Sequence, residues 1–189
     1  MHGKGHFGLT LLVLSIAFIP LGTGPNYEIV AIILLSAMFS SLPDIDIRLG
    51  LPHRKFTHSI LFALIIGLVL GIVFGYSNLI MGVVGFLAGF LGVMVHLLGD
   101  AMTYMAFKPL WPFDNREIAY GFFSANSEIA NKGFFALGFI AFFGYIIITS
   151  GTLWNCRFGW EGKYGKKERV FTKVEKKSIR RRVENYTSS

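Results

Sequence analysis

The segment NLIMGVVGFLAGFLGVMVHLLGD, residues 78–100, decides how this chain folds. Its apolar run has about the 20 residues that an α-helix needs to cross the hydrocarbon core of a bilayer. The run ends in His96 and Asp100, which are four residues apart and therefore share one face of a helix. The segment predicts a membrane-spanning helix that carries an imidazole and a carboxylate at one end.

The rest of the chain has the same apolar character. Of its 189 residues, 53% are hydrophobic and only 15% are charged. This composition excludes a disordered chain, and it holds more apolar surface than a soluble domain of this size can bury. Apolar stretches at about 7–22, 27–42, 58–76, 78–98 and 133–154 predict helical passes. We expect an all-α, polytopic protein of the cell membrane with about five transmembrane helices.

Glycines recur at spacings of three and four residues in the third and fourth passes. They are Gly67, Gly71, Gly75, Gly82, Gly85, Gly89 and Gly92. Small residues at this spacing allow two membrane helices to approach closely. The pattern predicts that these two passes pack against each other.

The net charge of +7 belongs to the C-terminal end of the chain. Residues 157–189 hold 11 of the 18 Lys and Arg residues and four of the 11 acidic residues, so the remainder is neutral. We interpret residues 1–156 as a helical membrane domain and 157–189 as a basic tail, either amphipathic or disordered. Each basic residue near anionic lipid contributes about 1 kcal/mol. We therefore expect the tail to bind an anionic membrane surface, and we expect no nucleic-acid partner.

Between the fourth and fifth passes, residues 101–132 are too polar to span a membrane. The segment contains Pro109 and Pro112 together with seven aromatic residues, which favour the membrane interface. We expect short interfacial helices here that form a lid or wall beside the helix ends.

Five passes place alternate loops on the same side of the membrane. All five histidines and all four aspartates then fall on the side of the N-terminus and the 43–57 loop: His2, His6, His53, His58, His96, Asp44, Asp46, Asp100 and Asp114. A charged carboxylate or imidazole at hydrocarbon depth costs several kcal/mol unless it is paired or binds a metal. The clustering predicts a metal site at these helix ends.

Imidazole and carboxylate ligands suit Zn²⁺, and they also suit Mn²⁺ or Fe. Because the candidate ligands outnumber the three or four that one zinc takes, we expect two or more divalent ions, bridged by Asp100 or Asp44. Such a centre activates water against a phosphoryl or acyl group. A lone histidine at a helix end can also be an ordinary interfacial residue, and for His2 this alternative is preferred.

Four residues are candidates for catalysis, and each has a structural alternative. Arg54 and Lys55 would bind the anionic group of a substrate, or would anchor the chain at the interface. Asp46 and Glu128 would move protons. Otherwise, Asp46 would cap its turn and Glu128 would be a solvated loop charge.

Three motifs occur in order between the hydrophobic passes: LPDID at 42–46, HRKFTHS at 53–59 and HLLGDAMTYMAFKPLWPF at 96–113. Over residues 1–130 the chain resembles the membrane-bound metal-dependent hydrolase family typified by the bacterial inner-membrane protein YdjM, also described as LexA-binding. That family is distantly similar to zinc-dependent phospholipases C and single-strand nucleases. The resemblance implies metal ligands at Asp44, His53, His58, His96 and Asp100, with His6 and Asp46 as further candidates and Arg54 at the family's basic position.

We expect an integral membrane hydrolase that cleaves a phosphoester bond, in a lipid or lipid-linked substrate, with metal-activated water. The alternative is a non-enzymatic membrane regulator or scaffold with a structural metal site and a tail that binds lipid or a partner. A transporter is disfavoured because the helix centres carry no ionisable relay. Basic residues concentrate on the cytoplasmic side of membrane proteins. The basic loops on the side of the candidate site would place that site in the cytoplasm, whereas the basic tail, on the opposite side, would place the tail there instead. We prefer a cytoplasmic tail with an outward-facing site.

Overall fold

The computed structural model describes residues 1–21, 26–50 and 56–150. Within these ranges all the regular elements are helical, which confirms the all-α prediction for this part of the chain. They are α1 (Gly3–Phe18), α2 (Tyr27–Phe39), α3 (Ile45–Leu49), α4 (Ile60–Gly75), α5 (Leu79–Ala101) and α6 (Glu128–Thr149), with 3₁₀ turns at Ile19–Leu21 and Phe56–His58.

Three helical segments are long and apolar enough to cross a bilayer. They are Gly3–Leu21, Leu79–Ala101 and Glu128–Thr149. Helices α2 and α4 are also apolar, but their 13 and 16 residues rise only about 20 and 24 Å, against about 30 Å of hydrocarbon. The described residues therefore support a membrane protein with three candidate spans, and the count of five stays a prediction.

Polar side chains fix where the apolar helices begin. Asn26 accepts a hydrogen bond from the Glu28 amide at 2.8 Å, and Asn78 accepts one from Ile80 at the same distance. The Ser59 hydroxyl caps α4 by accepting from Phe62 at 3.2 Å. Each cap satisfies a backbone N–H that has no partner within the helix.

Glycines let the helices approach closely, as predicted for α4 and α5. A Cβ on Gly85 would lie 2.6 Å from the Leu70 carbonyl oxygen, and one on Gly82 would lie 2.9 Å from the Gly75 Cα. Gly92 gives α5 a similar contact with the α2 backbone at Ser36. These contacts hold α5 between α4 and α2, so that its last turn lies beside the ends of both.

Helices α1 and α6 pack together through a glycine contact that the sequence analysis did not anticipate. Gly8 and Gly138 lie backbone to backbone, and neither leaves room for a Cβ. Asn131 of α6 also accepts a hydrogen bond from the His2 amide at 3.0 Å. The start of α1 is thereby fixed beside the start of α6.

The predicted short helices between α5 and α6 are wrong. Residues 103–127 contain no helix, since Pro109 and Pro112 lack the amide hydrogens that a helix requires. The segment folds back on the end of α5 instead: the Tyr120 amide donates to the Ala101 carbonyl at 2.7 Å and the Phe122 amide donates to Met102 at 2.9 Å.

This returning segment forms a wall next to the helix ends. Phe107 is 3% exposed and packs in a core with residues of α4 and α5. Its ring centroid lies 6.4 Å from that of His58, and the nearby Pro109 carbonyl accepts from the Ile60 amide at 2.9 Å. The wall thus contacts the turn that carries His58.

Residues Met1–Thr149 form one packed unit. The predicted boundary between residues 156 and 157, Cys156 and the basic tail all lie outside the described residues. The division into a membrane domain and a tail stays a prediction.

Candidate metal centre

Five of the seven candidate metal ligands meet at one end of the helices. They come from the start of α1, the turn after α2, the turn before α4 and the last two turns of α5. They are His6, Asp44, His58, His96 and Asp100. Of the other two, Asp46 bonds to Thr57 and belongs to neither group of candidate ligands, and His53 lies outside the described residues, as do Arg54 and Lys55.

Four atoms form the primary group. They are Nε2 of His58, Nε2 of His96, Oδ1 of Asp44 and Oδ2 of Asp100. The two imidazole nitrogens are 3.2 Å apart. The Asp44 oxygen lies 3.7 and 3.6 Å from the nitrogens of His58 and His96, and the Asp100 oxygen lies 3.3 and 3.8 Å from them.

These spacings fit a single divalent ion. Donors that bind tetrahedral zinc at 2.0–2.1 Å lie about 3.3–3.4 Å from one another, and the five distances given above run from 3.2 to 3.8 Å. All four atoms carry lone pairs when the imidazoles are neutral with hydrogen on Nδ1. Lone pairs converging in a buried space need a cation or a proton between them, so the donor set suits a metal.

A backbone carbonyl sets the tautomer of His96. Its Nδ1 lies 2.6 Å from the Ser40 carbonyl oxygen, which can only accept a hydrogen bond. The hydrogen of a neutral His96 therefore resides on Nδ1, and Nε2 presents its lone pair to the primary group. Outer partners of this kind orient metal-binding histidines.

The Thr57 hydroxyl and the Asp46 carboxylate set the tautomer of His58. Thr57 Oγ1 donates to Asp46 Oδ2 at 2.6 Å and lies 3.0 Å from His58 Nδ1. Because the hydroxyl hydrogen is used on Asp46, the Thr57 oxygen accepts from His58 Nδ1–H. Asp46 itself is fully buried and its Oδ2 is 3.6 Å from the same nitrogen. The His58 Nε2 lone pair is thus directed at the primary group.

The acidic surroundings of His58 affect its protonation. Burial by itself lowers the pKa of His58, but hydrogen bonds to Asp100 and Asp44 and the charge of Asp46 outweigh burial and raise that pKa above its usual value. The raised pKa indicates an environment that favours positive charge beside Nε2. A metal ion would satisfy the same demand.

A second group lies on the other side of Asp100. His6 is fully buried, stacks on His96 with ring centroids 3.8 Å apart, and its Nε2 lies 3.4 Å from Asp100 Oδ1. Among the described residues neither ring nitrogen of His6 makes a hydrogen bond. The Met1 amino group also donates to Asp100 Oδ1, at 2.8 Å. The two oxygens of Asp100 therefore face different groups, which favours Asp100 over Asp44 as the bridge.

The predicted proton carriers occupy different environments. Asp46 lies behind His58, bonded to Thr57, on the side away from the primary group. Glu128 opens α6, is 77% exposed in its side chain and pairs with Lys132 at 2.6 Å. It belongs to neither group of candidate ligands. Catalytic roles for both residues stay predictions.

Sequence reasoning missed Ser40 and Thr57. Ser40 acts through a backbone carbonyl, which has no signature in a sequence. Thr57 immediately precedes His58, but adjacency in the sequence does not show that the hydroxyl meets the imidazole.

The fold and the site together define a class, a helical membrane protein with a buried His/Asp group that could bind metal at one end of its helices. The family model described as YdjM inner membrane protein matches residues 1–156, and the chain belongs to that family. This confirms the family resemblance, while the similarity to hydrolases and phospholipases C stays a prediction. No curated protein and no solved structure matches the chain.

Proposed function

We propose that this protein is an integral membrane hydrolase that uses a divalent metal, with Zn²⁺ the first candidate, to cleave a phosphoester bond in a lipid or lipid-linked substrate. The observation that carries the proposal is the primary group: two imidazole nitrogens 3.2 Å apart, each 3.3–3.8 Å from a carboxylate oxygen of Asp44 and of Asp100. Both imidazoles have outer partners at Nδ1, which direct the Nε2 lone pairs towards the primary group.

The exposure of the donors favours catalysis over a structural role. The side chain of Asp44 is 25% exposed, whereas those of His58, His96 and Asp100 are at most 2% exposed. Structural zinc sites are closed by protein ligands, while catalytic sites keep a position open for water or substrate. Asp44, His58 and His96 form one group of three donors, so a tetrahedral ion held by them would keep a fourth position for water at the open edge beside Asp44, which a structural metal does not need.

A bound divalent metal would supply Lewis-acid activation of water and would neutralise phosphate charge. The chain's own residues prepare the site for this chemistry. Ser40 and Thr57 hold His96 and His58 in the tautomer that binds metal, and Asp46 fixes Thr57. We therefore assign Asp46 as a positioning residue, since its buried location behind His58 does not suit proton exchange with solvent.

Asp44 is placed to accept a hydrogen bond from a water molecule that approaches the open edge. Arg54 and Lys55, predicted to bind the anionic group of the substrate, complete the proposal. The candidate ligands His6, His96 and Asp100 lie near the ends of candidate spans, and the ends of a span lie close to the lipid head groups. A membrane lipid is therefore the preferred substrate, and the basic tail would hold the chain against anionic lipid.

Phosphate release from lipid vesicles tests the proposed function. Purified protein loaded with Zn²⁺ should release a phosphate-bearing product from vesicles of phosphatidylethanolamine and phosphatidylglycerol. Asp100→Asn should lower the rate at least a hundredfold, and Glu117→Gln, at an exposed carboxylate paired with Lys108, should leave it unchanged. Stoichiometric metal without product release by the wild-type protein would support the scaffold alternative.

A further inference from the structure

Helix α2 runs beside α5 in the same direction but covers only part of its length. A Cβ on Gly92 would lie 2.6 Å from the Ser36 carbonyl oxygen, and the Ser40 carbonyl oxygen lies 2.6 Å from His96 Nδ1. Gly92 follows Ser36 by 56 residues, as His96 follows Ser40, so one turn of α2 corresponds to one turn of α5. This common offset fixes which residues of the two helices lie at the same level.

The offset places the start of α2 nearer the metal centre than the start of α5. Asn26, the N-cap of α2, is level with Gly82, whereas α5 begins at Leu79. At about 1.5 Å per residue, the polar end of α2 is therefore recessed by about 4–5 Å from the end of the candidate span. Glu28, a partly exposed residue in the first turn of α2, lies about 3 Å nearer still to the metal centre.

Polar groups at both ends limit the apolar length of α2. Asn26 and Ser40 are 14 residues apart, which is about 21 Å along a helix. After Ser40 the chain turns to Asp44, whose side chain is 25% exposed and belongs to the primary group. Tyr27 and Met38, near the two ends of α2, are 70% and 66% exposed. This face of α2 therefore contacts whatever surrounds the described part of the chain.

A bilayer of ordinary thickness does not match this face. Its hydrocarbon core is about 30 Å thick, which exceeds the distance between the polar ends of α2 by about 9 Å. Glu28 or Asp44 would then lie within hydrocarbon, where a charged carboxylate is costly. Lipids accommodate a short apolar stretch by thinning around it, at a modest cost for each ångström.

We propose that the bilayer thins to about 20 Å where it meets α2, so that the carboxylates at both ends of this face reach the head groups. A second copy of the chain packed on this face would bury the same carboxylates, which is why lipid is the partner assigned. Thinning brings water and head groups to Asp44, the most exposed donor of the primary group. The inference goes beyond the proposed function and does not depend on it, because it requires helices in a membrane and no hydrolysis.

Spin labels at the two ends of α2 test the proposal. They are attached to Tyr27→Cys or Met38→Cys in the full-length protein, with the single native cysteine removed by Cys156→Ser, in vesicles of dioleoyl phosphatidylcholine and phosphatidylglycerol. The two positions are about 16 Å apart along the helix. Centred in about 30 Å of hydrocarbon, each label would lie about 7 Å inside, whereas in about 20 Å each would lie about 2 Å inside. We expect both depths, measured by power-saturation EPR with oxygen and a nickel reagent, to be at most about 4 Å.

Ile129 and Ile140 of α6 form the matched control pair, because they have the same separation in sequence and are 88% and 67% exposed. Helix α6 has 22 residues and rises about 33 Å, so it needs no thinning. We expect the label at Ile140→Cys to lie at least about 10 Å deeper than the label at Ile129→Cys. A label on α2 more than about 6 Å inside the hydrocarbon would overturn the proposal. Labels on α2 that neither oxygen nor nickel reaches would show a protein contact there and would also overturn it.

Glu28→Leu provides an independent test, with Glu28→Gln as its matched control. Leucine lengthens the apolar face of α2, whereas glutamine keeps the position polar. Thermal unfolding midpoints are measured in phosphatidylcholine bilayers with monounsaturated chains of 14, 18 and 22 carbons. Because a thicker bilayer must thin more to reach a polar residue 28, we expect Glu28→Leu to gain at least about 3 °C relative to Glu28→Gln from the shortest to the longest chains. A constant difference between the two variants at all chain lengths would overturn the proposal.

Discussion

A single backbone carbonyl determines how His96 can act. With Ser40 oxygen 2.6 Å from Nδ1, a neutral His96 has only Nε2 available for a metal. The hydroxyl of Thr57, itself bonded to Asp46, has the same effect on His58. The chemistry of the primary group therefore depends on residues that would not touch the metal.

Asp46→Asn tests this dependence. The amide has no net charge and can donate to Thr57, so the Thr57 oxygen is no longer compelled to accept from His58. We expect zinc affinity to fall about 10–100-fold, the range typical of outer partners. A competition titration against a chelator measures the affinity, with Glu117→Gln as the control. Wild-type affinity in Asp46→Asn would contradict the positioning role.

His6→Phe tests the second group. Phenylalanine retains an aromatic ring to stack on His96 but removes both nitrogens. If His6 and Asp100 hold a second ion, metal analysis should show about two ions per chain in the wild type and about one in the variant. An equal count in both proteins would exclude His6 as a required ligand.

Most residues of the candidate site could be predicted from the sequence, because their spacing and their positions at helix ends are visible there. His96 and Asp100 share a helix face because of their spacing, and helix termini on the same side of a membrane bring His6, Asp44 and His58 near them. The sequence could not predict which of Asp44 and Asp46 faces the primary group, because neighbouring carboxylates in a turn can point in different directions. Asp44 faces the primary group and Asp46 faces Thr57.

Close helix packing positions the elements that bear these residues. The spacing of glycines predicts the α4–α5 contact, because both helices carry several small residues in register. The contact between Gly8 and Gly138 joins two helices that are distant in sequence, and the glycines of α6, at 133, 138 and 144, lack a spacing of three or four residues. The irregular backbone of the wall, residues 103–127, was not predicted, because long-range backbone bonds rather than local propensity shape it.

Gly138→Leu tests the α1–α6 contact. A side chain there has no space against the Gly8 backbone, and overpacking costs about 1–3 kcal/mol. We expect a lower thermal unfolding midpoint in detergent, together with weaker metal binding, since α1 carries His6. Gly144→Leu on the same helix should leave both quantities unchanged. A stable Gly138→Leu protein would contradict the packing described here.

Metal binding and stability are linked across the whole molecule. The primary group draws on the turn after α2, the turn before α4 and the end of α5, so an ion would bind the folded chain far better than the unfolded one. Zinc at 100 times its Kd should then add about 2.7 kcal/mol of stability. The unfolding midpoint should rise on adding Zn²⁺ and fall with a chelator. Insensitivity to both would contradict this linkage.

The lengths of the apolar helices determine where the candidate site lies. Three candidate spans and an all-helical fold follow from composition and apolar run length, which is why these features could be predicted from the sequence. The short α2 and α4 could not, because a helix ends where caps and tertiary contacts end it rather than where hydrophobicity does. Their ends bring Asp44 and His58 to the last turn of α5.

Metal analysis of the purified full-length protein tests the central claim most directly. After purification with Zn²⁺ present and removal of free metal, the wild type and Glu117→Gln should hold at least one ion per chain. The double variant His58→Ala/His96→Ala should hold less than one fifth of that amount while retaining its helical circular dichroism. Fewer than about 0.1 ions per chain in the wild type, or equal amounts in the wild type and the folded double variant, would contradict a metal centre at these residues.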